Sequence, residues 1–208
     1  MADRVVVFVD YQNVYRSARA TFHRHESDPH WFGQVNPLLL GRYLAADSPY
    51  DRALQEIRIY RGIPSSSRDP RGYSAARKQI DTWSAQDQVS IVARPLRYPS
   101  GWPTNHEPGE RPQEKGIDVA LALDFAVMGL RNEYDVGILM SLDTDLKPAL
   151  ERVAELTRAW GRPRAEVAAW SSRDQHNRRL SISGARLYCH WIDEPAYEAM
   201  RDDTNYAG

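Results

Sequence analysis

Residues 136–148 have the sequence VGILMSLDTDLKP, and this stretch decides the fold. The apolar run Val136–Met140 is short and bounded by polar residues, which is typical of a strand buried on both faces. Asp143 and Asp145 follow in a polar turn, and a helical apolar pattern with Pro148 in its first turn comes next. Ligands of open α/β sheets bind at the carboxyl ends of the strands, so both aspartates are candidates for chemistry.

The same aspartates also have a purely structural interpretation. Asp145 or Thr144 can be the N-cap of the following helix, and Asp143 can be a solvated turn residue. Taken alone, the turn slightly favours that interpretation. Carboxylates at equivalent places elsewhere in the chain favour the chemical one.

A second predicted strand ends in the same way. The apolar, β-branched run Val5–Val9 ends at Asp10, and a helical pattern follows. Asn13 lies three residues further, about one helical turn, and can face the same side. An N-cap role for Asp10 and a turn position for Asn13 are the alternatives.

A fourth candidate acid lies at the start of a predicted helix that begins near residue 115. Apolar residues at 117, 121, 125 and 128 predict a strongly packed helix with Asp118 in its first turn. A carboxylate there is costly unless it is paired or binds a cation, although the helix dipole also favours it. Asp124 lies about 240° further around the helix and is predicted to be structural.

Composition limits the class of protein. A chain of 208 residues with 42% hydrophobic residues suits one α/β domain. The single cysteine, Cys189, excludes an internal disulfide and a cysteine-cluster zinc site. The sequence contains no apolar segment of membrane-spanning length and no basic-then-apolar leader, so we expect a cytoplasmic protein without a membrane partner.

The charge distribution is more informative than the net charge of −1. Residues 61–115 carry nine basic against six acidic side chains, and residues 115–155 carry four against eight. Arg61 follows the predicted strand Leu54–Tyr60 and opens a flexible loop, where it can contact a phosphate. A plain surface loop is the alternative.

The remaining elements complete an α/β pattern. Helices are predicted at 37–46, 73–85 and 177–180, and strands at 89–93, 164–170 and 186–192, the last at a sheet edge. We expect a single domain over residues 1–194 with a long Pro/Gly-rich loop at about 94–114. Residues 195–208 are expected to form an acidic tail with a frayed end.

Four carboxylates converge if the two acid-ending strands are adjacent and parallel: Asp10, Asp118, Asp143 and Asp145. Close carboxylates repel one another, and a hard divalent cation such as Mg²⁺ or Mn²⁺ relieves that repulsion. Such a cation can activate water for hydrolysis of a phosphodiester.

Three motifs resemble those of the NYN domain family. VFVDYQN at 7–13 is similar to its opening motif, KGIDVAL at 115–121 to its second, and SLDTDLKP at 141–148 to its third. The order and spacing agree with the LabA-like branch, and the resemblance spans roughly residues 4–170. Leu142 stands where the family usually has glycine, and it would be strained if the backbone there has a positive φ.

The resemblance implies a PIN-like, Rossmann-like three-layer α/β fold with a central, mainly parallel sheet, and a Mg²⁺- or Mn²⁺-dependent endoribonuclease. Asp10, Asp118, Asp143 and Asp145 would hold or orient the metal. Asn13 would join these acids in catalysis by positioning Asp10, the metal-bound water or the substrate. Lys115 would contact a phosphate, and Ser141 and Thr144 would support the acidic turn or contact the scissile group.

Two other function classes compete with an RNA-cleaving enzyme. The enzyme would act on single-stranded or structured RNA. One competing class is a PIN-like scaffold that holds RNA or a protein partner without cleavage. A homodimer or another protein partner is an open alternative. The other competing class is a phosphatase-type hydrolase. It is disfavoured because it needs a second acid where Gln12 stands.

Overall fold

The computed structural model describes residues 1–23, 25, 27–105, 107, 109–174 and 177–208. The described residues form six strands: β1 Asp3–Asp10, β2 Arg52–Ile63, β3 Val89–Pro95, β4 Val136–Met140, β5 Arg164–Trp170 and β6 Cys189–Ile192. They also form six α-helices: α1 Tyr11–Phe22, α2 Pro37–Ala46, α3 Pro70–Ser84, α4 Ile117–Leu130, α5 Lys147–Trp160 and α6 Glu194–Met200.

The strands of the described residues build one parallel sheet in the order β3-β2-β1-β4-β5-β6. The predicted parallel α/β sheet and the edge position of the last strand are confirmed. The chain reverses its direction of progress across the sheet between β1 and β4, which is the point where such folds bind ligands. Asp10 ends β1 and residues 141–145 follow β4, so both acidic segments lie at this point.

Alternate side chains of β1 enter two different hydrophobic cores. Val5, Val7 and Val9 pack with residues of α1 and α2 on one face of the sheet. Val6 and Phe8 pack with α4 and α5 on the other face. The continuous apolar run of β1 is therefore explained by burial on both sides, and the predicted three-layer architecture is confirmed.

Most predicted elements are present, and two local predictions are wrong. Residues 177–180 do not form a helix. Strand β2 continues beyond Tyr60 to Ile63, so Arg61 lies inside a strand rather than in a flexible loop. The long connection after β3 is present and is pinned at its ends, because the backbone N–H groups of Arg97 and Gln113 each donate to the other residue's carbonyl, at 2.8 and 2.9 Å.

The C-terminal segment packs onto the domain, and the expectation of a frayed end is wrong. Tyr197 of α6 is fully buried, and Tyr206 is 9% exposed. Trp83 Nε1 donates to Asp202 at 2.9 Å, which attaches the segment to α3. Burial of the aromatic residues of the tail attaches it to the domain, although the tail is acidic. The domain boundary at residue 194 stays a prediction.

No helix in the described part of the chain is long and apolar enough to cross a membrane. The cytoplasmic location remains a prediction.

Candidate functional site

Asp10 is the buried centre of the acidic segments. It ends β1 and caps α1, because its Oδ1 accepts a hydrogen bond from the Asn13 backbone N–H at 3.2 Å. Its Oδ2 accepts from the Ser141 hydroxyl at 2.9 Å, and the residue is only 4% exposed. The capping interpretation of Asp10 is thus correct, and it coexists with a position at the ligand-binding end of the sheet.

The electrostatic state of Asp10 is unusual for a helix cap. Burial raises its pKa to about 6, against the lowering effect of the hydrogen bonds from Ser141 and Asn13. The charges of Asp118 and Glu114 raise the pKa further. Among the described residues, no basic side chain forms an ion pair with Asp10. The fold therefore keeps a carboxylate buried without a compensating cation, which costs stability.

The acidic turn after β4 is built on hydrogen bonds to its own side chains and to Asn13. The Asp143 N–H donates to Ser141 Oγ at 3.0 Å, and the Asp145 N–H donates to Asp143 Oδ1 at 2.9 Å. Asn13 Oδ1 accepts from the Leu142 N–H at 2.9 Å, so it ties α1 to the turn. Asp143 caps the short 3₁₀ helix Thr144–Leu146, so the predicted N-cap at Asp145 or Thr144 is wrong.

Leu142 fits the turn without strain. Its φ is not positive, so the backbone does not need the glycine that is usual at this position. Its half-buried side chain lines a cavity of about 250 Å³ together with Asn13, Ser17, Trp170 and Arg178. The substitution adds bulk at the wall of this cavity and leaves the hydrogen bonds of the turn in place.

Asp118 reaches the same end of the sheet from α4. Gly116 has a φ of +77°, a left-handed conformation that glycine tolerates, and it is the N-cap that places Asp118 in the first turn. Burial raises the pKa of Asp118, and the charges of Asp143 and Asp145 raise it further. Lys115 is exposed directly before this cap.

Glu114 belongs to the same group of acids, although it was not among the acids predicted from the sequence. Its Oε1 accepts from the Gly62 N–H, and its Oε2 accepts from the Gln12 amide at 3.0 Å when that amide is oriented to satisfy both of its neighbours. Burial raises its pKa. Its position directly before Lys115, the first residue of the second motif, is the sequence feature that points to it. The Pro/Gly-rich segment in which it lies predicts an exposed loop, so its burial was not expected.

The carboxylates interact electrostatically but do not form a preassembled metal cage. No three or more His, Cys, Asp or Glu side chains within the described residues are placed to hold a metal ion together. Thr144 and Asp145 are exposed, whereas Asp10 is buried. The metal-ligand roles of Asp10, Asp118, Asp143 and Asp145 remain a prediction. Arg61 is not part of this group.

Comparison with known proteins adds the family. The family model described as "NYN domain" matches residues 4–161, which is more than half of the chain. The chain belongs to the NYN domain family. NYN domains are PIN-like nucleases as a family, which favours a hydrolase that acts on RNA. The matched range contains all three motifs and the five acids of the candidate site, Asp10, Glu114, Asp118, Asp143 and Asp145.

Other comparisons add little to the NYN assignment. The chain is similar to a crystallised protein of unknown function from Vibrio parahaemolyticus RIMD 2210633, with 17% sequence identity and a TM-score of 0.49. The alignment covers 80% of this chain and 81% of that protein. No curated protein matches the sequence.

Proposed function

We propose that this NYN domain is a metal-dependent endoribonuclease of the LabA-like branch, which hydrolyses RNA phosphodiesters at the carboxyl end of its sheet. The observation that carries the proposal is Asp10, buried at the switch point beside other acids and without a cation among the described residues. A fold keeps such a costly group when a ligand compensates its charge.

The donor set fits Mg²⁺ or Mn²⁺. The acidic segments offer carboxylate, hydroxyl and amide oxygens, which hard cations prefer, and no described thiolate or imidazole lies among them. A cage of three carboxylates is not required, because Mg²⁺ commonly binds one or two carboxylates and keeps several waters. Asp10, Asp118, Asp143 and Asp145 would hold the ion. When bound, it favours deprotonation of a water and compensates negative charge on the phosphodiester.

The remaining residues organise the acids and the substrate. Ser141 links β1 to the acidic turn, since its hydroxyl donates to Asp10 and accepts from the Asp143 N–H. Asn13 fixes the same turn through Leu142. Lys115 and Thr144 are exposed at this end of the sheet, where an ammonium and a hydroxyl can contact phosphate oxygens of an RNA strand.

The proposal is tested by cleavage of labelled single-stranded and structured RNAs with Mn²⁺, with Mg²⁺ and with EDTA. Asp143→Asn removes a charge and keeps the helix cap, because asparagine caps as well as aspartate. We expect it to lower the cleavage rate by at least about 100-fold. Asp87→Asn is the matched control, because Asp87 is exposed and far from the acids in sequence. Metal-dependent cleavage that survives in both Asp143→Asn and Asp10→Asn rejects the proposal.

A non-cleaving scaffold that binds RNA or a protein is the second candidate. It is favoured by the lack of a three-residue metal cluster among the described residues and by the capping roles of Asp10 and Asp143. RNA binding that is unchanged by EDTA, with no cleavage product for any RNA in the set, supports this candidate.

A further inference from the structure

Arg61 is a buried cation that lines a cavity. It is 8% exposed and lies in β2, where the sequence analysis expected an exposed loop. The cavity has a volume of about 310 Å³, near the lower limit for small-molecule sites. Its wall also includes Gln12 and Glu114, so it adjoins the acidic segments, and Tyr11 in the wall directly follows Asp10.

The guanidinium of Arg61 is held in a fixed orientation. Its Nη1 donates to Gln79 Oε1, its Nε donates to the Gly62 carbonyl at 3.4 Å, and its Cζ lies 4.7 Å from the centre of the Tyr11 ring. The Gln79 amide cannot turn away, because its Nε2 donates to the Tyr11 hydroxyl at 3.1 Å and to Gln34 Oε1.

One nitrogen of this guanidinium, Nη2, has no hydrogen-bond partner among the described residues. Within that part of the chain, Arg61 also forms no ion pair. Both oxygens of the nearby Glu114 already accept hydrogen bonds, from Gly62 and Gln12. Burial lowers the pKa of Arg61, which reflects the cost of a desolvated cation, and the charges of Tyr11 and Glu114 offset only part of that effect. A buried positive charge with free donors calls for an anion in the cavity.

The cavity wall favours an anion that carries an aromatic group. Tyr15, Tyr206 and His30 line the cavity, and aromatic faces stack on nucleobases. Gly72 and Ala75 of α3 form a wall without bulky side chains. A guanidinium fork matches the geometry of phosphate oxygens. A nucleotide unit therefore fits this site better than a simple carboxylate does.

We propose that Arg61 binds a phosphate group of the RNA strand in this cavity and so positions the strand beside the acids. The proposal rests on the proposed function for the identity of the ligand. Its phosphate is either a 5′-terminal monoester or an internal phosphodiester, which share the same recognition chemistry.

The test measures binding of a labelled single-stranded RNA in EDTA, where cleavage is absent, by fluorescence anisotropy. We expect Arg61→Gln to weaken binding by about tenfold. We also expect it to reduce the slope of log affinity against log salt by about 0.7, the change for one lost phosphate contact. Arg71→Gln is the matched control, because Arg71 is exposed at the start of α3 and outside the cavity wall. Equal binding by Arg61→Gln and Arg71→Gln overturns the proposal.

A second pair of variants tests the cavity without touching Arg61. Ala75→Glu places a negative charge on the helical wall, and Ala75→Gln adds the same volume without charge. Glutamate and glutamine are both good helix formers, so we expect both Ala75 variants to fold even if the Arg61→Gln variant does not. We expect the glutamate variant to bind RNA about tenfold more weakly than the glutamine variant. Equal affinities overturn the proposal.

The assay is run with 5′-phosphate and 5′-hydroxyl forms of the same RNA. A loss confined to the 5′-phosphate form assigns the site to a terminal phosphate, and an equal loss with both forms assigns it to an internal phosphodiester; either supports the proposal. Arg61-dependent binding without any metal-dependent cleavage rejects the nuclease and keeps the phosphate site. Cleavage with no effect of Arg61 on binding rejects the phosphate site alone.

Discussion

The two ends of the parallel sheet treat carboxylates in opposite ways. At the carboxyl end, burial raises the pKa of Asp10 to about 6, and no described basic side chain forms an ion pair with it. At the amino end, hydrogen bonds from Arg4 and Arg162 lower the pKa of Asp135 to about 2, although burial alone would raise it. The same chemical group therefore stabilises one end of the sheet and destabilises the other. The unpaired end is the one with capacity for a ligand.

Glu166 of β5 is a second carboxylate that is paired with basic side chains. Arg52 donates two hydrogen bonds to its carboxylate, at 2.7 and 2.9 Å, and His190 Nε2 lies 2.8 Å from Oε2. His190 Nδ1 is 2.9 Å from Asp47, which connects β6 to the end of α2. Burial alone would raise the pKa of Glu166, but the bonds from His190 and Arg52 outweigh it and lower that pKa to about 2.

The largest effect on stability is expected from removal of the Glu166 carboxylate, which is paired with Arg52. Glu166→Gln leaves the Arg52 side chain, which is 3% exposed, as a buried cation without a charged partner. We expect the free energy of unfolding to fall by about 3 kcal/mol, measured by urea denaturation near neutral pH. Glu151→Gln, an exposed position on α5, is the control and is expected to change it by less than about 0.5 kcal/mol. A loss below about 1 kcal/mol at Glu166 would mean that the pair contributes little.

The pH dependence of that loss tests its origin. The pKa of Glu166 is about 2 in the folded protein and 4.5 in the reference state, so its contribution is present above about pH 4.5 and disappears as the pH falls toward 2. We therefore expect the stability difference between wild type and Glu166→Gln to shrink over this window. Denaturation curves at about pH 7, 4 and 2.5 measure it. A difference that stays constant would assign the loss to packing.

The sequence predicts where the central strands end better than it predicts which other side chains lie near those ends. Strands β1 and β4 were predictable because burial on both faces requires a continuous apolar run. Asp10 directly follows the first run, and Asp143 lies three residues after the end of the second. Arg61 was misplaced and Glu114 was missed, because their burial depends on contacts between segments that are distant in sequence: Arg61 contacts Gln79 of α3, and Glu114 contacts Gly62 of β2. The tail was misjudged because its charge was weighed and its buried Tyr197 was not.

Removal of the Asp10 carboxylate, which has no ion-pair partner among the described residues, is expected to increase stability rather than to decrease it. Asp10→Asn in EDTA should raise the free energy of unfolding by about 1.5 kcal/mol, because a buried charge without a cation is replaced by a neutral amide. The amide keeps one oxygen for the Asn13 N–H, and the Ser141 hydroxyl can accept from its NH₂. Urea denaturation of this variant beside Asp87→Asn measures the gain. A destabilised Asp10→Asn would mean that capping outweighs the burial of charge.

The smallest effect is expected at Leu142, which separates backbone strain from charge at the acidic end. Its φ is not positive, so Leu142→Gly, which introduces the residue usual in the family motif, relieves no strain. It loses a half-buried side chain and gains chain entropy in the unfolded state, which together lower the free energy of unfolding by about 1 kcal/mol. The acids and the hydrogen bond from the residue 142 N–H to Asn13 remain, so the cleavage rate should stay within about twofold of wild type. A tenfold gain in cleavage would instead show that the leucine obstructs the substrate in the adjoining cavity, and the acidic end would then be limited by its shape rather than by its charges.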